Sequence, residues 1–313
     1  MPLLATLFAL LALGLAACGG DDDDAGSGVT IEHSYGSTVV PVGVDQIVSL
    51  DTQWTDVLTA LGTPPSAIGR DPNLEGDSFP WQGDELADAT LLEAADAIPY
   101  EAIAELQPDL IVATWIVEDE SIYDRLSEIA PVIPVLGDDA QVDSWQDMAG
   151  VAGQILGIED EAQALVDEVA GTVSDYAAAH PGLDGKTFAL ANYVPGDAMY
   201  VVADPEDGAS VVFADLGMTI TPTILDAADD VSGRVTLSLE QTAMLDGDML
   251  LLLPNGSEPA EIPGYDLLPA VQSDAVVVLD YATAVGFNTP TPLSIPYVLD
   301  EIEPAATAAE AAV

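Results

Sequence analysis

The stretch EAIAELQPDLIV, residues 101–112, has a counterpart in EQTAMLDGDMLL, residues 240–251. In each, Glu is followed five positions later by Leu and eight positions later by Asp, and an apolar run comes next. They lie 139 positions apart (240 − 101). Two further echoes keep the same order. VLTALG ending at Gly62 matches VFADLG ending at Gly217, 155 apart (217 − 62), and PVIPVL ending at Leu136 matches DAVVVL ending at Leu279, 143 apart (279 − 136). Each match alone is common where strands alternate with helices, but three in order point to two lobes of like topology.

The rest of the chain supplies what such lobes need. Apolar, largely β-branched runs at Gln46–Leu50, Leu110–Thr114, Val132–Leu136, Thr187–Ala191, Met249–Leu253 and Ala275–Leu279 alternate with helical stretches. That alternation predicts an α/β fold with mainly parallel sheets flanked by helices. Leu250–Leu253 is apolar on both faces, as a strand covered by helices on each side must be.

Between the halves, residues 144–180 read as helical, with a break at Leu156-Gly157-Ile158. Glu159–Glu161 then give an acidic first turn, and Ala162, Leu165, Val166, Val169, Val173 and Tyr176 keep helical spacing on one face. Pro181-Gly182 ends the run. The expectation is one long helix, Asp160–Ala179, joining two lobes; a surface helix inside a single domain is the alternative reading.

At the amino end, Pro2–Ala17 is almost wholly apolar and too short to span a bilayer comfortably. It fits the core of a secretory signal. Leu15-Ala16-Ala17-Cys18 resembles the lipobox of bacterial lipoproteins, which implies that Cys18 is acylated after cleavage, although no Lys or Arg precedes the apolar run. A non-lipidated signal with an incidental Cys18 is the alternative. Gly19–Gly28, with Asp21–Asp24, reads as a charged tether that buries nothing. The expected organisation is a signal peptide at 1–17, a lipidated terminus and tether at 18–28, an N-terminal lobe at 29–143, a linking segment at 144–182, a C-terminal lobe at 183–304 and a flexible tail at 305–313.

Charge excludes several function classes. With 55 Asp and Glu against 4 Lys and Arg, the formal net charge is −51. Such a surface repels nucleic acid and anionic headgroups. It suits concentrated salt, where self-repulsion is screened. The single Cys rules out an internal disulfide. His33 and His180, the two histidines, have no metal-ligand spacing, and neither a nucleophile elbow nor a phosphate loop is present. No catalytic residue, resident cofactor or dedicated metal site is expected. A lipid-anchored enzyme with an unrecognised site is kept as the less favoured class.

In their order, these segments resemble the extracytoplasmic solute-binding proteins of ABC importers that capture ferric siderophores, cobalamin or haem. The resemblance rests on QIVSLDTQWTDVLTALG, YEAIAELQPDLIVATW, YDRLSEIAPVIPV, VTLSLEQTAMLDGDMLLLL, LLPAVQSDAVVVLD and TPLSIPYVLDEI, covering residues 40–303. It implies two α/β lobes bridged by a long helix, a ligand held between them, little hinging and a monomer. It also implies that a glutamate from each lobe, Glu101 and Glu240, docks on permease arginines. A carboxylate at a helix start is favoured by the helix dipole as well. A lipid anchor would hold the scavenger near its permease at high local concentration. Asp71–Asp96 and Asn192–Gly208 match no pattern and are where ligand choice is expected to be set.

Ligands of open α/β sheets bind beyond the carboxyl ends of the strands. Trp54, Arg70, Trp81 and Trp115 follow N-terminal strands; Tyr193, Tyr200, Arg234, Tyr281 and Phe287 lie near C-terminal ones. Aromatic walls with a few polar groups suit a bulky chelate, though each aromatic could equally close its own lobe. Arg70 and Arg234 could meet a ligand oxygen or an internal carboxylate. Trp145 is assigned to packing, Arg125 to an exposed pair with Asp124 or Glu128, and Lys186 to a turn. A ferric siderophore leads, with a neutral or cationic hydroxamate electrostatically easier than a catecholate. Cobalamin comes second. Haem, with Tyr193, Tyr200 or Tyr281 as axial ligand, comes third.

Overall fold

The structure, a computed structural model, describes residues 28–94, 97–137, 143–228 and 233–312. The expected signal peptide, Cys18 and the tether through residue 27 lie outside them. Gly28, the last residue of that expected tether, already opens β1 (Gly28–His33), which pairs antiparallel with β2 (Gly36–Pro41).

The first lobe is built on β3 (Ile47–Ser49), β4 (Ala67–Gly69), β5 (Thr90–Leu92), β6 (Leu110–Val112) and β7 (Val132–Ile133). Their spatial order is β5-β4-β3-β6-β7, and every pairing is parallel. Crossovers run through α1 (Thr52–Ala60), α2 (Tyr100–Glu105) and α3 (Glu120–Ser127). β3, β6 and β7 are buried throughout, as strands covered on both faces must be.

Two helices lead out of this lobe. Ser144 caps α4 (Trp145–Leu156), accepting from the Asp147 amide. Gly157, at φ 70°, ends it in a conformation that costs glycine little. α5 (Glu159–Ala179) follows, one residue longer at its start than expected and about 30 Å long. It packs on α4 on the side of the first lobe.

The second sheet contains β8 (Thr187–Tyr193), β9 (Met199–Val202), β10 (Thr219–Ile220), β11 (Arg234–Leu237), β12 (Met249–Leu253) and β13 (Val276–Val278). β12 covers one edge of β8, so β10 and β9 share the other, pairing parallel at Thr187–Phe188 and antiparallel at Ala191–Tyr193. β11 adds antiparallel to β9 and β13 parallel to β12. The sheet is therefore mixed, where the first is wholly parallel. Its helices are α6 (Gly208–Asp215), α7 (Pro222–Ala227), α8 (Pro269–Gln272), α9 (Tyr281–Asn288) and α10 (Ser294–Ala311). α5 also contacts α6 and α10.

The internal echo survives folding. β6 and β12 begin 139 positions apart (249 − 110), and so do α2 and a 3₁₀ turn at Leu239–Met244 (239 − 100). β3-β6-β7 and β8-β12-β13 run in the same spatial order.

The expected flexible tail at 305–313 is corrected. α10 continues through Pro304 to Ala311, and Ala305, Ala306 and Ala309 are buried. His180 holds Glu303 at 2.9 Å and Glu310 at 3.0 Å, and the Gly182 amide donates to Glu310 Oε1 at 2.7 Å. An alanine-rich stretch has little apolar contrast to read, yet alanine is the best helix former and small enough for close packing.

Candidate functional site

Asp51 sets the local geometry. It caps α1 by accepting from the Trp54 amide at 2.9 Å, while its other oxygen accepts from the Thr114 amide at 2.8 Å. One carboxylate thus ties the loops after β3 and β6 together. Burial pushes the Asp51 carboxyl up, and the two amide bonds oppose that shift.

Beyond these strand ends lies a chamber of about 460 Å³. Its first-lobe wall carries Gln53, Arg70, Asp71, Asn73, Trp115 and Glu118; Tyr281, Val285 and Thr289 close it from α9 and the residue after it. A second chamber of about 730 Å³ adjoins it, lined by Trp145 and Val173 on one side and by Asp204, Asp207, Arg234 and Asn288 on the other. Trp115 and Thr289 line both chambers. Trp115 keeps 49% of its surface exposed, unusual for an indole unless something is to cover it.

Arg70, Trp115, Arg234 and Tyr281 therefore stand on the cleft wall. Arg70 Nη1 donates to Glu93 Oε1 at 3.2 Å, with Asp77 at 3.9 Å. Arg234 Nη2 donates to Asn288 Oδ1 at 2.7 Å and lies 3.8 Å from Asp207. The Tyr281 hydroxyl donates to Asp71 Oδ2 at 2.8 Å, and burial together with that carboxylate pushes its pKa up to about 12.

Five expected wall residues lie elsewhere. Trp54 is fully buried because α1 turns it into the core. Phe287 is fully buried too, its ring stacked 5.5 Å from Phe213. Tyr193 is buried at the end of β8, and Tyr200 donates instead to Asp197 at 2.8 Å. Trp81 fastens the lobes together. Its Nε1 donates to Asp56 Oδ2 at 2.7 Å, it stacks on Phe79 at 4.7 Å, and it packs against Tyr297 of α10 at 5.4 Å. Gly286 permits this approach, since a Cβ there would sit 3.2 Å from the indole. Strand-end position identifies which aromatics are near the cleft, but the helix face or strand pleat decides which ones reach it.

Trp145 is buried, as assigned, and also borders the second chamber. Arg125 stacks 3.7 Å over the Tyr100 ring instead of pairing with Asp124 or Glu128. Lys186 reaches Asp248 at 3.3 Å and the Ala312 carbonyl at 2.9 Å, so it is more than a turn residue. Glu101 and Glu240 are exposed at equivalent places, the first turn of α2 and of the 3₁₀ turn at Leu239–Met244.

Sequence reasoning missed Gln53, Asn288 and Thr289, and it missed the buried Asp56. Asp71-Pro72-Asn73 is a turn signal directly after a strand and could have placed its residues at the cleft. Nothing local marks Gln53 or Asp56. Both stretches without a recognisable pattern reach the cleft, through Asp71 and Asn73 and through Asp204 to Gly208. Among the described residues, no group of three or more His, Cys, Asp or Glu is placed to hold a metal ion.

Comparison with known proteins agrees with this architecture. The chain is 26% identical over 212 residues to the probable siderophore-binding lipoprotein YfiY of Bacillus subtilis, covering 64% of this chain and 63% of that protein. A periplasmic solute binding protein of Mycobacterium smegmatis matches with a TM-score of 0.76 at 26% identity, over 90% of this chain and 99% of the other. PiaA of Streptococcus pneumoniae, solved in complex with ferrichrome, matches with a TM-score of 0.73 at 23% identity, over 91% and 100%. Two such lobes around a cleft, and a match to the periplasmic binding protein model over residues 47–283, establish that this chain belongs to the periplasmic binding protein family.

Proposed function

We propose that the chain captures a ferric siderophore outside the cytoplasmic membrane and hands it to an ABC importer. The observation that carries this reading is the two-chambered cleft, each chamber walled by residues of both lobes and the two sharing Trp115 and Thr289. A space of that size, with one exposed indole and a few fixed polar groups, fits a bulky metal chelate. The names of two relatives point the same way: a siderophore-binding lipoprotein, and a protein solved with ferrichrome. Iron enters only as part of the chelate, and the chain performs no reaction on it.

Haem fits less well. Tyr281 is committed to Asp71 and Tyr200 to Asp197, while Tyr193 is buried, so no free axial oxygen faces the cleft among these candidates. Glu101 and Glu240 are the proposed permease contacts, one per lobe, and Cys18 the proposed acylation site. The lobes are taken as residues 29–143 and 183–312, the second including the whole of α10, linked by 144–182, in a monomer.

Native mass spectrometry against hydroxamate, catecholate, corrinoid and porphyrin ligands tests the reading. A mass gain with a ferric siderophore is expected; gain with corrinoid or porphyrin alone overturns it. Glu101→Ala with Glu240→Ala should keep binding and abolish iron uptake in cells. Cys18→Ala should release the protein from the membrane fraction.

A further inference from the structure

We propose that the cleft selects ferric chelates of zero or positive net charge that offer an N–H group to Gln53. The inference rests on the siderophore reading above and adds a charge class and a specificity residue to it. Two independent observations carry it.

The first is the state of the cations. The chain has four, and each has an internal partner. Arg70 is held by Glu93 and Asp77, Arg234 by Asn288 and Asp207, and Lys186 by Asp248, while Arg125 lies over Tyr100. Only Arg70 and Arg234 border the cleft. Glu118 in the first chamber and Asp204, Glu206 and Asp215 in the second have no basic partner among the described residues. The amino end of α1 borders the first chamber and by itself would attract an anion, but Asp51 already caps it with a carboxylate. An anionic chelate would enter against unpaired carboxylates, met only by two arginines already bridged within the chain, although Arg70 Nε itself has no hydrogen-bond partner. A neutral or cationic chelate does not meet that repulsion, and the penalty grows as the ligand displaces water from the cleft.

The second observation is Gln53. It lies in the first turn of α1, is 3% exposed, and lines the first chamber. Its Oε1 has no hydrogen-bond partner. A buried acceptor left unpaired is costly until a donor arrives. The carboxylate oxygens of a citrate chelate bring only acceptors to that position, whereas the amide or ammonium N–H of a hydroxamate siderophore brings the missing donor.

Isothermal titration calorimetry on the purified full chain decides the matter, using ferrioxamine B (a monocation), ferrichrome (neutral), ferric enterobactin (a trianion) and ferric dicitrate (an anion). The first two are expected to bind at least about 100-fold more tightly than the anions at 0.15 M salt, a gap that narrows at about 2 M as charges are screened. Tightest binding of an anionic chelate overturns the charge inference and leaves the siderophore reading standing; binding of none removes both. Gln53→Leu should weaken ferrioxamine B and ferrichrome about tenfold while the thermal midpoint of the free protein stays level or rises, since an unpaired polar group has been removed. Unchanged affinity in that variant, with the fold intact, removes Gln53 from the site.

Discussion

Thr291 Oγ1 donates a 2.6 Å hydrogen bond to Asp56 Oδ2 across 235 positions of sequence. Trp81 Nε1 and Gln82 Nε2 each donate to the same carboxyl at 2.7 Å, and Asp56 is fully buried. The second lobe thereby reaches a carboxylate inside the first. Burial pushes this carboxyl up to about 6, against the pull of its three donors. Between the ordinary value of 3.8 and about 6, the folded chain holds a proton that the unfolded chain has lost. The contribution of Asp56 to stability therefore grows as pH falls through 6 toward 4, by roughly 3 kcal/mol in all. In denaturant titrations, parent stability minus that of Asp56→Asn should rise over that window. A flat difference would show that the carboxyl is not raised.

Thr291→Val leaves the Asp56 carboxylate one donor short. It should cost roughly 1–3 kcal/mol at pH 7. Chemical denaturation at pH 7 reads the loss directly.

Tyr281 and Asp71 form a second contact between the lobes, at the floor of the first chamber. Tyr281→Phe keeps the ring and removes the donor, leaving Asp71 partly buried without it. A stability loss of about 1 kcal/mol is expected, with a measurable change in chelate affinity. An unaltered unfolding midpoint and an unaltered binding isotherm together would show this contact to be dispensable.

Trp115 is the exposed indole among four; Trp54 and Trp145 are buried and Trp81 is half-buried. A ferric chelate in the cleft should quench mainly Trp115. Trp115→Phe should abolish most of the ligand-induced fluorescence change while calorimetry still detects binding. Quenching that persists in the variant would place the ligand elsewhere.

Removing residues 305–313 strips three buried alanines and the Glu310 contact with His180 from the second lobe. The truncated chain should lose roughly 2–4 kcal/mol. Thermal unfolding checks this, since loss of a solvated tail would leave the midpoint where it was.

Much of the framework was legible in one dimension. The six strands expected from β-branched and leucine runs all form, and Met249–Leu253 forms with its expected ends. The long helix begins one residue early. The strand expected before Arg70 forms as well; the short strand before Glu93 and the antiparallel pair β9 and β11 had no comparable signature, because three or four residues carry too little periodicity. In the site, Arg70, Trp115 and Tyr281 were placed by the rule that loops beyond strand ends converge, and Arg234 by the scarcity of cations in the chain. Trp54, Trp81, Tyr193, Tyr200 and Phe287 obey the same rule and still face away from the cleft.

By itself the sequence determined the doubled α/β pattern, the bridging helix and a shortage of cations that no folding can change, since periodicity, repeated spacing and net charge are properties of the chain. The tertiary structure alone decided which aromatics were spent on packing, that all four cations were already engaged, and that Asp56, Thr291, Asp71 and Tyr281 would hold the lobes together. The two contacts that hold the lobes together join residues more than 200 positions apart, and local sequence carries no record of a distant neighbour.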